Sequence, residues 1–175
     1  MENTRGKLAY KQEGAGKLIV LLHGFCGSKE YWKEVIPYLK DSYKVIAVDV
    51  RGHGETETTT VGYGIHDMAE DLYEFFKEND LKDAYIFGHS MGGYITLDFV
   101  EHHPELVKGY GLIHSTALPD SPEAKDNRSK GVSKVEQQGV SLFIHDLIPK
   151  LLAKDTREKE KEVLRTLIDI GIETR

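Results

Sequence analysis

The sequence is short of residues that staple or anchor a chain. Cys26 is its only cysteine among 175 residues, so no intrachain disulfide can form. A cysteine-rich zinc site and a secreted disulfide scaffold are excluded with it. No stretch approaches the roughly 18 apolar residues of a membrane span, and the opening Met-Glu-Asn-Thr-Arg leads into no apolar signal segment. The cytoplasm is therefore the expected location, with no membrane partner. Positive charge is also scarce: 23 Lys plus Arg stand against 29 Asp plus Glu, a net charge of −6 that gives no reason to expect a nucleic-acid partner. Without a secretory signal, the Asn127-Arg128-Ser129 sequon reads as a chance match in a polar loop. What is present, 39% hydrophobic and 30% charged residues, excludes disorder over most of the length and suits one domain with a real core.

Short apolar runs alternate with longer segments of helical spacing, the pattern of a parallel sheet with crossover helices. Lys17 to Leu22 is a near-continuous apolar run, as expected of a strand buried on both faces. Tyr43 to Val50, Ala84 to Phe87 and Val107 to Ile113 read the same way, and Leu8 to Lys11 is expected to lead them. Trp32, Val35, Ile36 and Leu39 predict a helix that Ser28 could cap. Ile65, Met68, Ala69, Leu72, Phe75 and Phe76 predict a second. After residue 116 strand-like runs stop. Ser121 and Pro122 look like a helix start, and Phe143, Ile144, Leu147, Ile148, Leu151 and Leu152 continue at helical spacing. Residues 117–175 thus read as a helical layer beside a core of residues 1–116.

The sharpest chemical signal is Gly88-His89-Ser90-Met91-Gly92-Gly93, placed between a buried strand and a helix. It contains G-x-S-x-G, in which small residues let a strand bend abruptly into a helix and leave a serine hydroxyl exposed at the bend. The N–H of Met91 would then stand at a helix N-terminus, where developing negative charge is favoured. His23-Gly24-Phe25-Cys26-Gly27 follows a neighbouring strand and could aim the N–H of Phe25 at the same point. Asp49 to Thr56 forms a charged, glycine-containing turn whose expected job is structural.

These three segments stand in the order and spacing of the α/β-hydrolase superfamily, and the chain resembles its serine-nucleophile group with a helical cap. The resemblance covers residues 7 to 116 and implies a mostly parallel, doubly wound sheet with the helical remainder as cap. It also implies Ser90 as nucleophile, an oxyanion hole from the Phe25 and Met91 amides, and His23 and His89 on the floor beside it. Substrate is expected to meet His23, Gly24, His89 and His114, the last because it ends the strand beside that of Ser90. Neither metal nor cofactor is implied. Ser90 argues against relatives with aspartate at the bend, such as epoxide hydrolases and haloalkane dehalogenases.

A serine needs a base, normally a histidine oriented by a carboxylate. In this family both follow the cap, on loops after further strands, so the sequence reads as the first two thirds of such an enzyme, with the C-terminal strands missing. Within the 175 residues His114 is the best candidate base and Asp120 the nearest acid, while His102 and His103 read as solvated and Cys26 has no base beside it. The expectation is a serine esterase acting on small esters through an acyl-enzyme in the intact protein. The 175 residues alone are expected to be inactive or nearly so. They are also expected to self-associate or to pair with the missing segment. The alternative is a non-catalytic small-molecule-binding protein on the same fold. A nucleotide-binding reading fails, because Gly14-Ala15-Gly16-Lys17-Leu18 lacks two residues of a phosphate loop.

Overall fold

The computed structural model describes residues 7–173. The chain divides into two compact units, one ending at Ala117 and the other running from Leu118. The first is built on five strands: β1 (Tyr10–Glu13), β2 (Lys17–Leu22), β3 (Tyr43–Val48), β4 (Ala84–His89) and β5 (Val107–Ile113). They lie in the order β1-β3-β2-β4-β5. All neighbours are parallel except β1, which runs antiparallel along β3. This is the mostly parallel, doubly wound sheet that the alternation of apolar runs implied.

Period-2 alternation sorts the side chains of each strand onto two faces. Leu18, Val20 and Leu22 of β2 join Ile46, Val48 and Ile86 on one face. There α2 (Ile65–Glu78) contributes Met68, Leu72, Phe75 and Phe76, and α3 (Met91–His102) contributes Ile95 and Phe99. The apolar spacing of α2 is the reason it lies there, and the Asp67 carboxylate accepts from the Gly64 N–H (2.8 Å) to tie its first turn. Ile19 and Leu21 point the other way and meet Trp32, Ile36, Val45 and Ala47.

Three local departures from the sequence reading have physical causes. The helix expected over Trp32 to Leu39 is split into a 3₁₀ turn (Lys29–Trp32) and a short α1 (Ile36–Leu39). Pro37 has no N–H to continue a ladder from the residues before it, and its ring disfavours helical geometry at the preceding residue. Ser28 does cap the 3₁₀ turn, accepting from the Glu30 N–H at 3.2 Å. β1 lies two residues later than Leu8 to Lys11; Leu8 is buried just ahead of it. β3 stops at Val48: the Asp49 N–H still bonds Ala9 O (2.9 Å) in the β1 register, but the Val50 N–H leaves the ladder and donates to His23 (3.1 Å).

The second unit is helical: α4 (Pro122–Gln138), α5 (Val140–Leu151), α6 (Lys154–Lys159) and α7 (Lys161–Ile172). Ser121 caps α4 by accepting from the Ala124 N–H (3.1 Å), with Pro122 at its start. Within this unit Ile144, Ile148 and Ile170 are buried, whereas Leu151 is exposed. Among the described residues no helix is long and apolar enough to cross a membrane.

Candidate active site

The chain leaves β2 for β3 on one side and then crosses back to β4 on the other. The switch point of the sheet therefore lies between the carboxyl ends of β2 and β4, the place where open α/β sheets form their binding crevice. The loop 23–27 follows β2 and Ser90 follows β4, so two motifs separated by some sixty residues of chain meet there.

Ser90 occupies the one residue between β4 and α3, with φ 51° and ψ −113°. This is left-handed backbone that an L-residue adopts only at a cost of order 1–3 kcal/mol. Surrounding bonds hold it. The Ser90 N–H donates to Ile113 O (3.0 Å), while Ser90 O accepts from the Gly93 N–H (2.9 Å) and the Ser115 hydroxyl (2.7 Å). The flanking glycines are sterically obligatory: a Cβ on Gly88 would sit 2.2 Å from Gly92 O, and one on Gly92 would sit 2.5 Å from Leu22 O. Met91 is the first residue of α3, where N–H groups have no intrahelical acceptor.

The β2 loop abuts this bend. A Cβ on Gly24 would lie 3.1 Å from Ser90 Cβ and 2.9 Å from His89 Nδ1, so only glycine lets the two segments approach. The Gly27 N–H donates to Gly24 O (3.1 Å), closing a turn with Phe25 and Cys26 at its centre. Phe25 is exposed and Cys26 fully buried. Cys26 (φ 57°), Ser90 (φ 51°) and His114 (φ 45°) share the left-handed region, so strained backbone gathers at the carboxyl ends of β2, β4 and β5.

The histidines separate by environment. His23 is completely buried. Its Nε2 accepts from the Val50 N–H (3.1 Å), which leaves Nδ1 to donate to Gly24 O (2.8 Å) and fixes a neutral tautomer. Burial, with the neighbouring His53 next in effect, lowers its pKa to about 4. His23 is thus a cross-link from the β2 loop to the end of β3, closed to solvent with both ring nitrogens bonded. His89 is half-buried with Nδ1 unpartnered, and burial followed by the nearby His114 holds its pKa below the ordinary value. The His89 ring lies 6.3 Å from that of His114, which is exposed, and 6.4 Å from that of Tyr31. Neither His89 nor His114 has an ion-pair partner among the described residues.

Other candidates are engaged elsewhere. His53 bonds Arg51 O (3.0 Å), His145 Nδ1 bonds Ser141 O (2.8 Å), and Asp120 pairs with Arg128. His103 is not solvated as expected; it bonds Glu70 (2.9 Å) and stacks on Tyr73. Burial pushes the Cys26 thiol up to about 12, so it holds its proton at neutral pH and is no nucleophile. The turn 49–56 is structural: buried Asp49 accepts from the Lys29 N–H (2.6 Å), Lys29 Nζ (2.7 Å) and the Glu55 N–H (3.0 Å), and Arg51 forms a buried bidentate pair with Asp71. Sequence reasoning gave no role to Ser115 or Tyr31. Ser115 steadies Ser90 across a strand boundary, and no local pattern announces such a contact.

The chain is similar to known proteins. The model of the alpha/beta hydrolase fold family matches residues 17–160. Over 130 residues the chain is 35% identical to a candidate carbamate hydrolase, RutD, from Agrobacterium fabrum, covering 72% of this chain and 48% of that protein. Over 165 residues it is 33% identical to a soluble epoxide hydrolase from Corynebacterium sp. strain C12, covering 92% of this chain and 56% of that one. The solved structure of a thermophilic esterase from Thermogutta terrifontis superposes with a TM-score of 0.89 at 30% identity, covering 97% of this chain and 62% of the esterase. The chain spans about half the length of these curated relatives. Its sheet order, its strand-to-helix bend at Ser90 and these matches place it plainly: the chain belongs to the α/β hydrolase fold family.

Proposed function

We propose that the protein is a serine hydrolase in which Ser90 attacks small carboxylic esters and carries the acyl group as an ester intermediate. The observation that carries this reading is the left-handed Ser90 between β4 and α3, a conformation sustained by three backbone-directed hydrogen bonds and two sterically obligatory glycines. The hydroxyl oxygen forms a bond to the substrate carbonyl carbon and gives its proton to a base. The developing oxyanion is stabilised by the Met91 and Phe25 amides, each such donor contributing about 3 kcal/mol. Collapse expels the alcohol and leaves acyl-Ser90, which water hydrolyses. Gly24, His89 and His114 border the position of the acyl carbon; His23 supports the loop from below. Similarity to a thermophilic esterase supports an ester substrate, and a serine at the bend supports an acyl route over epoxide opening.

Reaction of the purified chain with a fluorophosphonate probe, followed by peptide mapping, tests the reading. An adduct at Ser90 that disappears in Ser90→Ala supports it, and p-nitrophenyl ester turnover by the intact protein, with its base and acid, is expected to vanish in the same variant. Survival of the adduct in His114→Ala would place the base elsewhere than His114. A folded chain that stays unlabelled yet binds small esters would favour a capture protein on this fold.

A further inference from the structure

The surface where α2 meets α3 carries a cluster that ester chemistry does not use. Asp98 and His102 stand four residues apart on α3 and therefore share one face of it. His66, in the first turn of α2, reaches the same carboxylate. His66 Nδ1 lies 2.9 Å from Asp98 Oδ1 and His102 Nδ1 lies 3.3 Å from that same oxygen. One ligand atom from each of the three residues falls within 4.8 Å of the others, and the two imidazole centroids are 4.8 Å apart.

A cation bonded at about 2.0–2.1 Å to nitrogen and oxygen in tetrahedral geometry spaces its ligand atoms roughly 3.3 Å apart. Two edges of the triangle are already near that size. Closing the third requires His102 Nδ1 to give up its bond to the Asp98 backbone carbonyl (2.9 Å) and an exposed imidazole to turn: the His66 and His102 side chains are 58% and 45% exposed, against 22% for Asp98. We propose that His66, Asp98 and His102 form a binding site for a divalent transition cation of the zinc class, which clamps α2 to α3 while water completes its coordination. Two imidazoles and one carboxylate select such an ion over magnesium or calcium, which favour oxygen ligands throughout. Glu70, one helical turn beyond His66 and bonded to His103, adds negative charge beside the site. The site is separate from Ser90, because along α3 Asp98 lies about 12 Å and His102 about 18 Å from it.

Calorimetric titration of the chain with Zn²⁺ alone at pH 7.5 tests the proposal. The expected result is one ion per chain, weakened at least about tenfold by each of His66→Ala, His102→Ala and Asp98→Asn. His145→Ala, in the helical unit, is expected to bind like the unaltered chain. Zn²⁺ is expected to raise the melting temperature of the unaltered chain and not that of the His66 and His102 variants. Since the altered side chains are on the surface, circular dichroism should show all variants folded. Absence of saturable binding, retention of affinity in both histidine variants, or loss of binding in His145→Ala would each overturn the assignment.

Discussion

The two faces of the sheet are built from the same strands and end in different states. On one, α2 and α3 lay Leu72, Phe75, Phe76, Ile95 and Phe99 over Val20, Leu22 and Ile86, and every one of these is buried. On the other, Trp32 and Ile36 cover Ile19, Leu21, Val45 and Ala47, while Tyr85, Phe87 and Ile113 border a concavity of about 530 Å³. Period-2 alternation decides which face a side chain takes; whether that face is sealed depends on the helices that reach it. A parallel strand apolar on both sides needs a layer on each. Among the described residues only one layer is complete.

Substitutions on each face can break or sharpen this contrast. The largest effect is expected at Phe99→Ala on the sealed face, about 3–5 kcal/mol of stability in urea unfolding, against about 1–2 kcal/mol for half-buried Phe87→Ala on the open one. Equal losses would mean the faces are equally sealed. Asp71→Ala, on the sealing helix α2, would strand the buried guanidinium of Arg51 and is expected to cost about 3–5 kcal/mol by the same measurement.

His23 joins the two crossovers at the end of the sheet and makes stability depend on pH. Its folded-state pKa of about 4 lies below the ordinary 6.5, so the unfolded chain binds the extra proton. The contribution is fully present above pH 6.5 and is lost as pH falls toward 4, amounting to about 3 kcal/mol. Urea unfolding at pH 7 and 4.5 should show that loss, and His23→Gln should reduce it. A slope unchanged by His23→Gln would remove His23 from this role. The smallest effect concerns the open face itself. Its exposed apolar surface and the outer edge of β5 are expected to drive weak, concentration-dependent self-association in light scattering, reduced by Tyr85→Lys. A monomer at every concentration would contradict it.

Legibility in the sequence followed the range of the interactions. β2 was readable to the residue because it is an apolar run between turn residues, β5 because Val107, Tyr110, Leu112 and Ile113 stand close together after a proline-led turn, and Ser90 because a strand, two glycines and a helix lie within a few positions. Over Trp32 to Leu39 the apolar spacing predicts one helix, whereas the backbone forms two short pieces with the second starting beside Pro37. The role of His23 was not readable, since it depends on a bond to Val50 in another strand's loop. Nor was the grouping of His66 with Asp98, 32 positions apart, because it exists only where α2 crosses α3.

The fold holds Ser90 against its own backbone preference, at the bend between β4 and α3. Comparing Ser90→Gly with Ser90→Ala in urea unfolding tests this most directly, because both remove the hydroxyl and only glycine tolerates φ 51° freely. The account predicts that the glycine variant is the more stable by about 1 kcal/mol. A glycine variant equal to or weaker than the alanine one, as in an ordinary helix or strand, would contradict it.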